Sequence, residues 1–143
     1  MAGVRRYQDL DCWRLANDLK CRVYELLESS RGKADLRFRD QLTDSASSGP
    51  SNIAEGFACY RHKEGARYAR IAKASLTETH NHLNDGVNRR HWNAEQAAPL
   101  LILADRAIGA TINWIRHLET SEAPPAFWET KRSGASRKKV TGK

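Results

Sequence analysis

The most informative stretch of the chain is Ala46-Ser47-Ser48-Gly49-Pro50-Ser51-Asn52-Ile53-Ala54-Glu55-Gly56. Helix-compatible sequence precedes and follows it, but its centre holds a Gly-Pro pair. Proline removes an amide donor and clashes with the carbonyl one turn earlier, at a cost of roughly 3 kcal/mol or more inside a helix. Two structures are compatible with this stretch. Either one kinked helix continues through Pro50, with the Ser47 or Ser48 hydroxyl available to the freed backbone groups, or Pro50 begins a new helix.

The spacing of the apolar and small residues favours the continuous helix, because their register survives across the proline. At about 100° per residue, one helical face collects Phe38, Leu42, Ala46, Gly49, Ile53, Gly56 and Phe57. A polar row lies beside it and consists of Gln41, Ser45, Ser48, Asn52 and Glu55. This row is either a solvated helix edge or a partly buried set of hydrogen-bonding groups that fixes the register between helices. We favour the second interpretation, since short Ser and Asn residues suit an exposed helix face poorly.

Length, charge and cysteine usage limit the class of protein. The chain has 143 residues, which is enough for one domain with a real core. Its three cysteines form no CxxC pair, which predicts reduced thiols in a cytoplasmic protein. The start of the sequence lacks an apolar signal core, and its longest apolar run is too short to span a bilayer, so we expect no membrane association.

The formal charge of +7 is unevenly distributed. Residues 130–143 hold six Lys or Arg and no acid, so residues 1–129 carry only about one net positive charge. A basic tail on a nearly neutral body is a weaker signal for nucleic acid than a basic fold.

Four amphipathic segments predict an all-α protein. The first helix is expected to begin near Asp9 or Asp11, either of which could cap it, and to end near Ser29. The others are expected over residues 35–59, 63–87 and 94–118. Short connections favour an antiparallel up-down four-helix bundle over residues 1–120 with a proline-kinked second helix. Residues 121–143 are expected to form a Pro-containing linker and a disordered basic tail.

The first and fourth helices are apolar over wider arcs than a bundle needs. Helix four is apolar over roughly 200° and helix one over roughly 180°, whereas burial on one side requires little more than about 100°. On a lone bundle the excess would form an exposed apolar patch. We therefore expect self-association with cyclic symmetry, through an interface that includes Trp13, Tyr24, Leu103 and Trp114.

The sequence offers no positive case for catalysis or a cofactor. The Glu-x-x-His pattern of di-iron bundles, phosphate-binding Gly-rich loops, GxSxG and HExxH are all absent. Glu78 and His82 share a helix face close to His80, but surface or hydrogen-bonding roles are more probable than a metal site. Cys59 with His62 could be a nucleophile pair by composition only, and a packed cysteine at a helix end is the simpler interpretation.

The strongest surface feature is a basic face predicted on helix three. Its members are His62, Lys63, Arg67, Arg70 and Lys73. Most charge runs of this kind are only solvated faces, and one copy would bind phosphate weakly. Repeated around a ring, the face becomes multivalent, and affinity for phosphates then grows through counterion release.

Three blocks of sequence resemble one bacterial family. They are Tyr7-x-Asp9-Leu10-x-Cys12-Trp13, Pro50-Ser51-Asn52-Ile53-Ala54-Glu55-Gly56 and Ile71-Ala72-x-x-Ser75-Leu76-x-Glu78. The family is that of the proteins encoded by intervening sequences of large-subunit ribosomal RNA genes, which are related to the accessory proteins of diversity-generating retroelements. The resemblance covers about residues 7–118. It implies an antiparallel bundle that assembles as a homopentamer, and it implies nucleic acid and a reverse transcriptase as partners.

Two hypotheses about function follow. In the first, the chain is a non-enzymatic pentameric accessory protein that binds nucleic acid, with RNA as the expected ligand, through the helix-three face. In the second, it is a structural or protein-interaction module in which the polar row and the basic face serve packing and solubility. A small-molecule or metal site at the kink is a third, more distant hypothesis.

Overall fold

Four helices account for nearly all of the described structure. The computed structural model describes residues 4–30 and 34–121. Within those ranges a short 3₁₀ turn, Tyr7–Asp9, precedes four α-helices, and no strand is present. The helices are α1 (Asp11–Ser29), α2 (Leu36–Ala58), α3 (His62–Asn88) and α4 (Ala94–Thr120). The all-α prediction with four helices is therefore confirmed. The predicted linker and tail beyond Ser121 lie outside the described residues.

Helix α2 continues through the proline. Asp35 caps its start by accepting a hydrogen bond from the Phe38 amide at 2.7 Å, and Pro50 lies buried inside the helix. The Ser47 hydroxyl donates to the Asp44 carbonyl at 3.1 Å, and the Ser48 hydroxyl is 2.8 Å from that of Ser75. The prediction of a continuous helix is thus confirmed, and the alternative of a helix that begins at Pro50 is wrong. Neither serine hydroxyl bonds to the carbonyl that the proline leaves without its helical partner. The kink itself stays a prediction.

The predicted cap of α1 is wrong. Leu10 occupies the capping position and provides no side-chain hydrogen bond, while Asp9 belongs to the preceding 3₁₀ turn. The Asp9 carboxylate instead lies 3.3 Å from Arg6 and 3.8 Å from Arg14, which keeps it on the surface. Leu10 is 2 % exposed, so burial of an apolar side chain sets the entry of α1.

Short contacts show that α3 runs in the opposite direction to α2 and to α4. Residues 45, 48 and 56 of α2 meet residues 79, 75 and 65 of α3, so one number rises as the other falls. In the same way, Arg70 and His80 of α3 meet Glu119 and Asp105 of α4. A capping box between Asn93 and Gln96 starts α4, and the Trp92 indole donates to the Leu83 carbonyl at 2.9 Å to close the turn before it.

The residues predicted to form a wide exposed apolar patch are less exposed than expected. Trp114 and Leu103 are each only 5 % exposed, because the single chain packs both into its own core. Trp13 is half-buried and its ring lies 5.2 Å from that of Tyr7. Tyr24 is 41 % exposed, and the most exposed large apolar residue of α4 is Ile102, at 62 %. Leu103 and Trp114 therefore leave little surface for an interface between copies.

Candidate nucleic-acid interface

The basic face lies on the solvent side of the first half of α3. Lys63, Arg67, Arg70 and Lys73 are all exposed. The opposite side of this half of the helix carries Ala69, Ala72 and Leu76, each 0 % exposed. Because a helix advances about 100° per residue, the four cations cover an arc of roughly 120°. The sequence-predicted face is thus one continuous surface, apart from its first member.

His62 lies at the edge of this face and contacts the end of α4. The residue is half-buried, and its Nδ1 atom is 3.2 Å from the Ser121 carbonyl oxygen. Its ring lies 5.9 Å from that of His117, whose pKa is lowered mainly by burial. The side chain therefore holds the start of α3 against the end of α4, and little of it is free for a ligand.

The four exposed cations differ in how far they are neutralised. Arg70 forms an ion pair with Glu119, with 2.7 Å between Nη1 and Oε1. The Arg67 guanidinium lies 4.6 Å from the centre of the Tyr68 ring, a contact that leaves its charge uncompensated. Lys63 and Lys73 have no acidic partner within 4.0 Å among the described residues. Three of the four positive charges thus remain open to an anion.

A crevice of about 360 Å³ opens within this face, between α3 and α4. Lys63, Ala66 and Arg70 of α3 line it together with Leu118 and Glu119 of α4. Sequence reasoning missed the two α4 residues. No sequence signal could have found them, because they join the face only through helix packing across about fifty positions of sequence.

The polar row of α2 proves to be partly buried. The hydroxyls of Ser45 and Thr79 lie 3.0 Å apart in the core, and those of Ser48 and Ser75 lie 2.8 Å apart. The Asn52 amide donates to the Ser48 hydroxyl at 2.9 Å. The ends of the row, Gln41 and Glu55, are exposed, so only its centre joins α2 to α3.

The sequence motif at residues 50–56 serves mainly to pack α2. Pro50, Ile53 and Gly56 are buried, and Asn52 and Ala54 are half-buried. Among the described residues, its two exposed members, Ser51 and Glu55, form no ion pair or side-chain hydrogen bond with the basic face of α3.

The cysteine and histidine suggested as a nucleophile pair have separate partners. The Cys59 thiol donates to the Glu55 carbonyl at 3.3 Å, while His62 contacts Ser121. Burial and the nearby Glu64 carboxylate raise the pKa of Cys59. Because the thiolate is the nucleophile, these surroundings oppose activation of this cysteine.

The histidines suggested as weak metal ligands point to different helices. His82 Nε2 lies 3.3 Å from Glu78 Oε1, whereas His80 Nε2 lies 3.4 Å from Asp105 Oδ1. Across residues 4–30 and 34–121, no three His, Cys, Asp or Glu side chains come together in a way that could hold a metal ion. In the same ranges, no helix is both long and apolar enough to cross a membrane.

Comparison with known proteins places this geometry in a family. No curated protein matches the chain. A solved structure of a protein of unknown function, from the S23 ribosomal protein family of Bacteroides thetaiotaomicron VPI-5482, aligns with a TM-score of 0.67. It shares 18 % identity and covers 73 % of this chain and 98 % of its own, which supports the helical fold alone. The model of the family described as 23S rRNA-intervening sequence protein matches residues 8–112, well over half of the chain, so the chain belongs to that family.

Proposed function

We propose that this chain is a non-enzymatic accessory protein that binds nucleic acid, with RNA as the expected ligand, through the basic face of α3. One observation carries the proposal: Lys63, Arg67 and Lys73 are exposed on one helix face without ion-pair partners among the described residues. Phosphate contacts by such side chains release counterions and so provide affinity without sequence preference. The family's description associates its members with an intervening sequence of 23S rRNA, which makes RNA the first ligand to test.

Self-association is the second part of this proposal, with a cyclic pentamer as the expected form. The exposed side chains of Ile102 and Tyr24 support an apolar contact between copies, although the buried Trp114 and Leu103 reduce the area available. A ring would present several basic faces to one RNA, and binding at one face would raise the effective concentration at the next. Three free cysteines support a reducing, cytoplasmic location. The resemblance described above makes a reverse transcriptase the first protein partner to examine.

Charge reversal on the face tests the proposal. In the full chain, the triple variant Lys63→Glu, Arg67→Glu, Lys73→Glu should lose about a hundredfold or more in affinity for a structured RNA at low salt, and its affinity should depend less steeply on salt. Fluorescence anisotropy over a salt series measures both quantities. Sedimentation velocity on the same samples gives the number of copies per particle and checks that the variant retains the assembly.

A matched triple variant separates the face from net charge. Arg22, Arg37 and Arg89 are exposed and lie in α1, at the start of α2 and directly after α3, away from the face. Changing these three to Glu gives the same charge difference and should cost far less affinity. Equal losses in the two triple variants would contradict the assignment of the face.

The alternative function is a structural or protein-interaction module. The burial of the Ser45–Thr79 and Ser48–Ser75 pairs favours it, since these polar groups serve packing between helices. On this hypothesis the protein binds RNA no better than an unrelated protein of equal charge. That result in the anisotropy series would replace the RNA proposal with this one.

A further inference from the structure

The crevice between α3 and α4 has an apolar floor. Ala66 is 1 % exposed and Leu118 is 7 % exposed, and both line the bottom of this space of about 360 Å³. Pockets that hold small ligands have volumes from roughly 300 Å³ upward, so this crevice is at the small end of the range. It has room for a single flat group.

The charges around the crevice differ in sign. Lys63 and Arg70 contribute positive charges to its lining, and Glu119 contributes a negative one. Arg70 occupies one carboxylate oxygen at 2.7 Å, while a carboxylate offers about four acceptor positions on its two oxygens. A phosphate would be repelled by this carboxylate, whereas a neutral group with N–H donors would be bound by it.

An unpaired nucleobase fits this pattern better than a phosphate does. Its flat apolar faces match the Ala66 and Leu118 floor, and its edge carries N–H donors for Glu119. Arg guanidinium planes also stack on bases in single-stranded RNA, which gives Arg70 a second role. The phosphates on either side of the base would then reach Lys63 and the remaining cations of the face.

We infer that this crevice holds one unpaired base of a single-stranded RNA segment. The inference rests on the proposed function, because the flanking phosphates bind the basic face. It names the ligand class more narrowly: a loop, bulge or single strand, with the duplex disfavoured. The base site consists of Ala66, Leu118, Glu119 and the stem of Arg70.

The test compares RNAs that differ in whether an unpaired base is available. The full chain is titrated with a short single-stranded RNA, with an abasic strand of equal length, and with the corresponding duplex. We expect the single strand to bind about tenfold more tightly than the abasic strand. This is at the low end of the contribution of base stacking in single-strand-binding proteins, because no aromatic ring lines the crevice. The duplex has about twice the phosphates of the single strand, so its affinity is compared per phosphate, and on that basis it should resemble the abasic strand.

Two variants locate the base. Ala66→Leu fills the crevice without changing the charge and should bring the ratio of the two affinities close to one. Since Ala66 is buried, Glu119→Ala provides a second variant at an exposed position. It should tighten binding of the abasic strand by freeing Arg70, yet lower the ratio by removing the acceptor for the base.

The control is Glu95→Ala, at an exposed residue in the first turn of the same helix, α4. It changes the net charge equally and should leave the ratio unchanged. Binding that is equally tight per phosphate for single, abasic and duplex RNA overturns the base site and leaves the basic face intact. The base site is also overturned if Glu119→Ala and Ala66→Leu both leave the ratio of single-strand to abasic-strand affinity unchanged. Failure of every RNA to bind overturns the proposed function as well.

Discussion

Two of the helix interfaces are built from very different residues. Between α2 and α3 the contacts include pairs of glycine, serine and threonine residues, and the two backbones come close together. A Cβ atom added to Gly65 would lie only 2.7 Å from the Gly56 carbonyl oxygen. Between α1 and α4, Cys12 and Trp114 meet across a crevice of about 170 Å³. Small residues thus give a tight seam in one place, and large ones leave a gap in the other.

The difference shows how each interface obtains its specificity. At α2–α3, backbone atoms limit the approach of the helices, and the hydroxyl pairs fix which residues face each other. At α1–α4, apolar burial supplies most of the stabilisation, which depends on area and little on direction. We therefore expect α2–α3 to tolerate substitution less well.

The largest expected effect is that of adding one methyl group to the tight seam. Gly56→Ala places a Cβ atom 2.8 Å from the Gly65 carbonyl oxygen, so the helices must separate. It should destabilise the protein by about 2 kcal/mol, although alanine is the better helix former. Gly109→Ala is the matched control in α4, where no atom of residues 4–30 or 34–121 lies within 4 Å of the new atom. It should stabilise by about 1 kcal/mol.

Urea denaturation measures both free energies of unfolding. The comparison between interfaces requires that Gly56→Ala lowers the free energy of unfolding and that Gly109→Ala raises it. If Gly56→Ala proves as stable as the native protein, the α2–α3 seam is adaptable and the contrast with α1–α4 is lost.

A smaller effect is expected from the hydroxyl pairs. Thr79→Val keeps the shape of the side chain but removes the hydroxyl that faces Ser45 across the interface, and should cost about 1 kcal/mol. Thr111→Val is the control, because the Thr111 hydroxyl bonds only to the Ala107 carbonyl of its own helix, at 2.7 Å. Both threonines are 0 % exposed, so the difference in their unfolding free energies isolates the bond between helices. Equal costs would show that the pair adds nothing to the seam.

Burial of a thiol in the α1–α4 interface should make the free energy of unfolding depend on pH. Burial raises the pKa of the Cys12 thiol from 9.0 to about 12. A raised pKa for this acid means that the unfolded chain loses its proton first, so stability is full below pH 9 and falls above it. Between pH 9 and pH 10 the loss should be about 1 kcal/mol.

Urea denaturation at both pH values checks this prediction. In Cys12→Ala this part of the loss should disappear, whereas Cys21→Ala, at an exposed cysteine, should behave like the native protein. An unchanged loss in Cys12→Ala would mean that the thiol is solvated and the α1–α4 interface more open than the structure indicates.

Periodicity was sufficient to predict the helices and the face that carries the cations. The register across Pro50 predicted one helix correctly, since buried positions before and after the proline share one side. The same reasoning placed Lys63, Arg67, Arg70 and Lys73 on one exposed surface. It failed for the cap of α1, where the composition suggested an aspartate and the burial of Leu10 prevailed.

Long-range packing limits what a pattern can predict. The apolar arc of α4 suggested that Trp114 would face another copy, yet the chain buries this side chain itself. An arc gives the width of an apolar surface but not the number of neighbours available to cover it. The partnership of Glu119 with Arg70 was equally inaccessible, because nothing local links residues on different helices.

The sequence by itself determined the four helices, their buried sides and the cationic face, because these depend on residue spacing along a regular helix. Only the tertiary structure decided which helices approach closely, which hydroxyls pair and where a crevice opens beside Ala66. Those features arise from how backbones and side chains from distant positions fill shared space. The base site belongs entirely to this second group, since α3 supplies its cations and α4 its carboxylate.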